Sequence, residues 1–350
     1  MIRLPGLVDP HVHLRDPGQT HKEDFYTATS AAIAGGYTTI IDMPNNVDPI
    51  VTKPRLNTKI AQAEHKVVCD VGFHFGSLGD NLDEFAKVQK MVYGLKLYLN
   101  FTTGGFIINE AALKSIYAAW HTVTGGAKPV LLHAEEDVME FVISAIKQSG
   151  QPTHICHVSS QEELSSIIRA KEVGLPITCG VCPHHLFLTE DDVARLGGFG
   201  LMKPSLKTKK DVHFLWENMR YIDVIESDHA PHTYEEKTSN PPPFGVPGLE
   251  TTLPLMLNAV YDKRITLDDV ITKCHTNPKN IFHIPTESDT YVEVDPVLFE
   301  IRNELLFTKC KWSPFAGMKV RGKVVKTVIR GSTVYDHGVI KAEPGTGRVI

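Results

Sequence analysis

Nothing in the sequence reads as a membrane span or a secretory signal. No apolar run approaches the roughly 18 residues that a transmembrane helix needs. The start, MIRLPGLVDP, has neither an apolar core nor a small-residue cleavage site. Cysteine is scarce: six in 350 residues cannot build a disulfide framework, which points to a reducing cytoplasm. Positive charge is not in excess. A net charge of −5 leaves no footprint for nucleic acid or an anionic membrane surface. Internal repeats and low-complexity segments are absent, and no Gly-x-Gly-x-x-Gly follows the first strand-like stretch. That weakens a doubly wound nucleotide-binding sheet as the architecture.

What is present is a chain 42% hydrophobic and 22% charged, enough for a sizeable core in one large domain or a large and a small one. Its one excess is histidine, with 17 residues, many in tight clusters. Short β-branched stretches recur: RLPGLVDPHVHL, YTTIIDMPN, KVVCDVGFHFG, YGLKLYLN, KPVLLHAE, THICHVSS, LPITCGVCPHHL and DVIESDHAPH. Helix-like runs separate them, such as EDFYTATSAAIAGG, which closes on a glycine pair suited to a C-cap. The alternation predicts a parallel sheet, and eight such units fit an α/β fold of the (β/α)₈ TIM-barrel type over residues 4–284. From residue 285 to 350 the pattern turns to alternating strands, with a hairpin at RGSTVYDHG. This predicts a small β-rich appendage packed on the barrel.

Ligand-type and charged residues gather at the ends of the predicted strands, the face where such barrels build active sites. His11, His13 and Arg15 share one face of the first strand. The paired imidazoles suit a divalent metal, and the arginine suits an anionic group. In GLKLYLN, Lys96 points away from its leucine neighbours and into the barrel. Burial favours the neutral amine, which can take up CO₂ and, as a carbamate, bridge two metals. A lysine paired with a carboxylate is the alternative. His133 and His157 end the next two strands as further neutral ligands. Asp228 ends the eighth; it can bind metal or move a proton, or serve only as a helix cap. Cys179 and Cys182 form a Cys-x-x-Cys whose members point to opposite faces of a strand, with no second pair for a structural zinc. His184 and His185 sit at the same rim.

This constellation resembles the amidohydrolase superfamily. The motifs DPHVHLRDPG, MPNN, GLKLYLN, HAEE, HICHVSS, CPHHLFLT and SDHAPHTYEEK are similar to those of dihydroorotases, most of all the dihydroorotase domain of multifunctional animal pyrimidine-synthesis proteins. The resemblance runs from about residue 3 to the end. It implies a cytoplasmic, zinc-dependent cyclic amidohydrolase that reversibly cyclises N-carbamoyl-L-aspartate to L-dihydroorotate, either as a homodimer or beside other domains of a longer polypeptide. It implies one zinc on His11, His13, Asp228 and carboxylated Lys96, and a second on Lys96, His133 and His157, with Asp228 as the catalytic proton carrier. By the same resemblance Arg15, Asn45 and His232 bind the substrate carboxylate, and the backbone around Pro247 and Gly248 contacts the ring. Thr102 and Thr103 touch substrate from a lid hinged at Gly104–Gly105.

Departures from the family pattern carry expectations too. Lys203 replaces an arginine and keeps its charge without the fork geometry. Gly180 stands where animal members have an acid that, with the position of Cys156, serves an extra metal, which argues against a third metal here. Free-standing relatives have additional strands before the barrel, whereas here it begins almost at Met1, as in a segment of a larger polypeptide. Three rivals remain. A hydantoinase or allantoinase, acting on a neutral ring, would not need the Arg15–Asn45 clamp. An inactive barrel should have lost metal ligands, and a mononuclear deaminase would not need Lys96.

Overall fold

The computed structural model describes residues 1–102, 107–285 and 287–350, so the expected lid positions Thr103, Gly104 and Gly105 lie outside the described residues. All eight strand-like stretches become strands. After a short β1 (Ile2–Pro5) come β2 (Leu7–Val12), β3 (Tyr37–Asp42), β4 (Asp70–Phe73), β5 (Phe75–Gly76), β6 (Leu95–Tyr98), β7 (Val130–His133), β8 (Thr153–Ile155), β9 (Ile177–Val181) and β10 (Val224–Ile225). β2, β3 and β4 form one parallel sheet, and β5 to β10 follow in sequence order in another. β4 and β5 are a single strand interrupted at His74. Its N–H donates to Asp42 O at 2.9 Å, after which Phe75 N–H turns to Gly94 O at 3.0 Å. The first and last strands also meet: Val12 makes a parallel bridge with His229, and His13 N–H donates to His229 O at 2.8 Å. Helices lie between the successive strands. This is TIM-barrel architecture, and it explains why every residue of β2, β3 and β7 is buried.

The helix Phe25–Ala34 shows how local sequence sets the packing. Asp24 caps its start in a capping box with Thr27, and Gly35 and Gly36 end it. A Cβ on Gly35 would fall 2.1 Å from Leu249 O, so this helix approaches the segment after the eighth strand as closely as backbone allows.

The segment after residue 285 supplies β11 (Tyr291–Glu300), β12 (Lys319–Ile329), β13 (Ser332–Asp336) and β14 (Val339–Ile340). These form an antiparallel sheet in the order β1-β11-β12-β13-β14. The first strand-like stretch is therefore split. Leu4 and Pro5 pair with Val292 and Tyr291, and the parallel strand starts only at Leu7. Gly6 makes the break, since a Cβ there would sit 2.3 Å from Thr38 Oγ1. Val292, Val294 and Val324 share one hydrophobic core with Leu4, Phe25 and Ile33.

One buried ion pair links this framework to the mouth of the barrel. Lys59 Nζ lies 2.7 Å from Asp42 Oδ2, with both side chains 1% exposed. The ammonium also donates to Met43 O at 2.9 Å and Asn46 Oδ1 at 2.8 Å, and Asp42 Oδ1 accepts Leu14 N–H at 2.9 Å. The loop after β3, which carries Asn45, is thus fastened from below and from the first strand. Lys59→Met leaves the Asp42 carboxylate buried without its cation. It should destabilise the protein by about 3–5 kcal/mol, measured as a loss of unfolding free energy in urea. A loss below about 1 kcal/mol would show that the pair does not hold the loop.

Candidate active site

Eleven of the fourteen residues singled out from the sequence as ligands or substrate contacts line one cleft or contact a residue that does. The cleft is open to solvent and is lined by His11, His13, Arg15, Asn45, Tyr98, Thr102, His133, His157, Lys203, Asp228, Ala230, Phe244 and Gly245. Lys96 and His232 lie immediately behind it, both buried. Pro247 and Gly248 are set further back. Gly248 N–H donates to His229 Nδ1 at 3.2 Å, and the turn toward the cleft is made instead by Phe244 and Gly245.

Strand ends aim these groups. Asp228 Oδ1 sits 3.2 Å from His11 Nε2 and 3.0 Å from His13 Nε2. Burial opposes its ionisation, but His11, His13 and His184 outweigh burial and hold Asp228 far below the usual carboxylate range. His13 Nδ1 meets Asn45 Oδ1 at 2.6 Å. His133 Nδ1 lies 3.0 Å from His157 Nε2, and the rings of His11 and His157 are 5.1 Å apart. Burial lowers the pKa of His11, His133 and His157, the last also through His133 and Lys96, which favours the neutral imidazole that a metal ligand must be.

Lys96 is 1% exposed. Its Nζ is 3.1 Å from Cys156 Sγ and 5.1 Å from the centre of the Tyr98 ring. Among the described residues no carboxylate pairs with it, which removes the alternative of a simple buried ion pair. Arg15 is buried as well. Its Nε donates to Pro231 O at 3.1 Å and its Nη2 lies 3.2 Å from His232 Nε2. Among the described residues it makes no ion pair, an expensive state for a guanidinium unless an anion arrives.

Three of these residues stand in the left-handed region, with φ of 62° at Arg15, 39° at His157 and 44° at Asp228. Such strain, about 1–3 kcal/mol each, persists where neighbours over-determine the backbone. Periodicity gives no sign of it.

Sequence reasoning missed Glu226. It is fully buried; it accepts His157 N–H and lies 3.4 Å from both His11 Nδ1 and His154 Nε2. Burial works against its charge, yet His11 and His154 keep it far below the usual range. The signal was available: Glu226 precedes Asp228 by two residues, the same spacing that joins His11 to His13. Its carboxylate also fills the space above Gly180, where a Cβ would lie 2.5 Å from Glu226 Cδ. A carboxylate from the segment just after β10 thus stands beside position 180.

The donor set suits metal ions. Ligand atoms of His11, His13 and Asp228 lie within 4.8 Å of one another, as do those of His11, Cys156 and Glu226 and those of Cys182, His184 and His185. The Nδ1 atoms of His11 and His157 are buried with no hydrogen-bond partner. Cys179 lies apart from these groups, its thiol facing Tyr221 O at 3.5 Å and pushed up to about 12 by burial.

The profile of the amidohydrolase family matches residues 2–180. The multifunctional protein CAD of Squalus acanthias is 43% identical over 354 residues, covering 99% of this chain and 16% of that protein. The chain thus spans about a sixth of that relative's length. The dihydroorotase of Pyrococcus furiosus is 34% identical over 366 residues, covering 100% of this chain and 85% of the relative. Among solved structures, the L-hydantoinase (dihydropyrimidinase) from Arthrobacter aurescens superposes with a TM-score of 0.94 at 24% identity, over 99% of this chain and 88% of that one, a likeness of fold alone. An inactive dihydroorotase-like domain of a CAD-like multifunctional protein from Chaetomium thermophilum gives a TM-score of 0.84 at 26% identity, over 100% and 99%. With a TIM barrel, histidines and acids gathered at its mouth, and relatives alike over nearly the whole chain, the protein belongs to the amidohydrolase family, in its dihydroorotase branch.

Proposed function

We propose that the chain is a dihydroorotase that closes N-carbamoyl-L-aspartate to L-dihydroorotate and opens the ring again, with two zinc ions and a carboxylated Lys96. One observation carries this reading: His11, His13, His133, His157 and Asp228, with Lys96 just behind them, share a cleft with a buried arginine that has no carboxylate partner among the described residues. His11, His13, Asp228 and carboxylated Lys96 would hold one zinc, and Lys96, His133 and His157 the other. When bound, zinc supplies an acidified water and polarises the amide carbonyl.

The chain's own residues do the rest. Arg15, with Asn45 and His232, holds the substrate carboxylate and so orients the ring amide toward the metal ligands. Asp228, kept ionised, takes a proton from the attacking water and passes it to the leaving ring nitrogen; ring closure returns it. Lys203 and Thr102 also line the cleft and would contact the substrate. The grouping of His11, Cys156 and Glu226 is where a third ion would bind, and metal analysis of the purified protein counts it. A neutral-ring hydantoinase is the poorer reading, because it leaves Arg15 without an anion. The inactive-domain reading is also poorer, because His11, His13, Lys96, His133, His157 and Asp228 are all present.

We further propose that the eight strands close into a barrel over residues 4–284, and that residues 285–350 form a β appendage in which β1 also takes part. By the same reading the protein is a cytoplasmic homodimer, or works beside other enzymes in one polypeptide.

Lys96→Ala should abolish turnover in both directions and lower bound zinc, read by metal analysis. Two retained zincs with normal turnover would sink the bridging role. Arg15→Ala should cost about 2–5 kcal/mol in kcat/KM for both substrates, with zinc content unchanged; parent-like rates on dihydroorotate would move the assignment toward a neutral ring. Asp228→Asn should suppress ring closure and ring opening together in paired forward and reverse assays, and a variant keeping both would reduce Asp228 to a scaffold.

A further inference from the structure

Behind His232 lies a buried lysine that the proposed chemistry leaves unused. Lys22 is 7% exposed. Its Nζ sits 3.2 Å from His232 Nδ1 and 3.1 Å from Glu236 Oε1. On the other side of the ring, His232 Nε2 lies 2.9 Å from Phe244 O and 3.2 Å from Arg15 Nη2. Glu236 Oε2 completes the surroundings at 3.3 Å from Nδ1. Burial, then the charges of Arg15, Lys22 and Lys237, keep this imidazole far below its ordinary range. It is neutral and carries a single N–H.

A neutral ring cannot satisfy both sides at once. An ammonium and a guanidinium only donate, so Lys22 asks Nδ1 for a lone pair and Arg15 asks the same of Nε2. With the proton on Nε2, His232 donates to Phe244 O and accepts from Lys22. With the proton on Nδ1, it donates to Glu236 and accepts from Arg15. The first arrangement uses the shorter of the two acceptor contacts, 2.9 Å against 3.3 Å, and leaves Arg15 Nη2 available to a ligand. The second ties up the guanidinium and turns a lone pair toward any incoming anion.

We propose that Lys22, held by Glu236, is a positioning residue that sets the Nε2–H tautomer of His232, so that the ring donates to Phe244 O and leaves Arg15 Nη2 free to bind the substrate carboxylate. This rests on the carboxylate clamp described under the proposed function. Lys22 acts through His232 and does not itself touch the substrate. It makes the site selective for an acidic ring, since a ligand without the carboxylate gains nothing from a freed guanidinium there.

Lys22→Met keeps the length of the side chain and removes the donor, whereas Lys22→Arg keeps a donor. In Lys22→Met the KM for dihydroorotate and for carbamoyl aspartate should rise about tenfold while kcat falls less and zinc content holds; Lys22→Arg should recover most of the loss. The direct readout is ¹⁵N NMR of imidazole-labelled zinc-loaded protein, with His232 assigned by difference from His232→Asn. The lone-pair nitrogen should be Nδ1 in the parent and Nε2 in Lys22→Met. A parent spectrum with the lone pair on Nε2, or a Lys22→Met protein with parent KM and parent tautomer, overturns the proposal. If Lys22→Met folds poorly, Glu236→Gln loosens Lys22 from its other side and should shift the same tautomer; an unshifted spectrum would count against the proposal. If Arg15→Ala raises KM while Lys22→Met does not, the clamp stands and this inference falls. If the parent turns over no acidic ring, the functional reading fails, and the NMR still decides the tautomer.

Discussion

The contact on which most of this structure depends is the Asp228 carboxylate set against two imidazoles of the first strand. A buried carboxylate is costly unless donors surround it, and Oδ1 finds them in His11 and His13 at 3.2 and 3.0 Å. That requirement brings the last parallel strand beside the first. The backbone repeats the demand, through the Val12–His229 bridge and the His13 N–H to His229 O bond. Asp9, whose carboxyl burial pushes up to about 8, adds a third tie by accepting N–H groups from His11 and Ser227. The seam of the sheet and the floor of the cleft are therefore the same residues.

Pre-organisation in the cleft follows from the same economy of buried charge. Lys59 neutralises Asp42 and fastens the loop bearing Asn45, and Asn45 in turn contacts His13. Glu226 accepts the N–H of His157, one of the residues at positive φ. Asn45 and His157 are thus held by polar groups that are themselves buried and bonded, which limits the reorganisation needed when a ligand binds. The same arrangement makes the strained backbone at Arg15, His157 and Asp228 tolerable.

A barrel of this shape does not choose its substrate. The hydantoinase of Arthrobacter aurescens shares the fold closely at 24% identity, which shows how much sequence can change while strand order and packing stay. Substrate choice lives in the few side chains at the mouth. Those at or just behind the mouth here include Arg15 with backbone and imidazole partners, Asn45, Lys203 and the Lys22–His232 pair.

The parallel strands were legible in the sequence because β-branched runs between amphipathic segments leave few other ways to bury apolar surface. His11, His13, Lys96, His133, His157 and Asp228 were legible because each ends such a run, where strand alternation sends a side chain to the mouth. What the sequence could not reveal depends on contacts between residues distant along the chain. Glu226 became a site residue only when His11 and His154 closed around it and Gly180 left it room. Leu4 and Pro5 joined the antiparallel sheet because Tyr291 and Val292 compete for their backbone. Lys22 meets Glu236, His232 and Arg15 only through the fold, from segments more than 200 residues away or separated by a turn. Periodicity along one strand determines which face a side chain takes; only tertiary packing determines which charge it meets there, because buried electrostatics act across space and not along the chain.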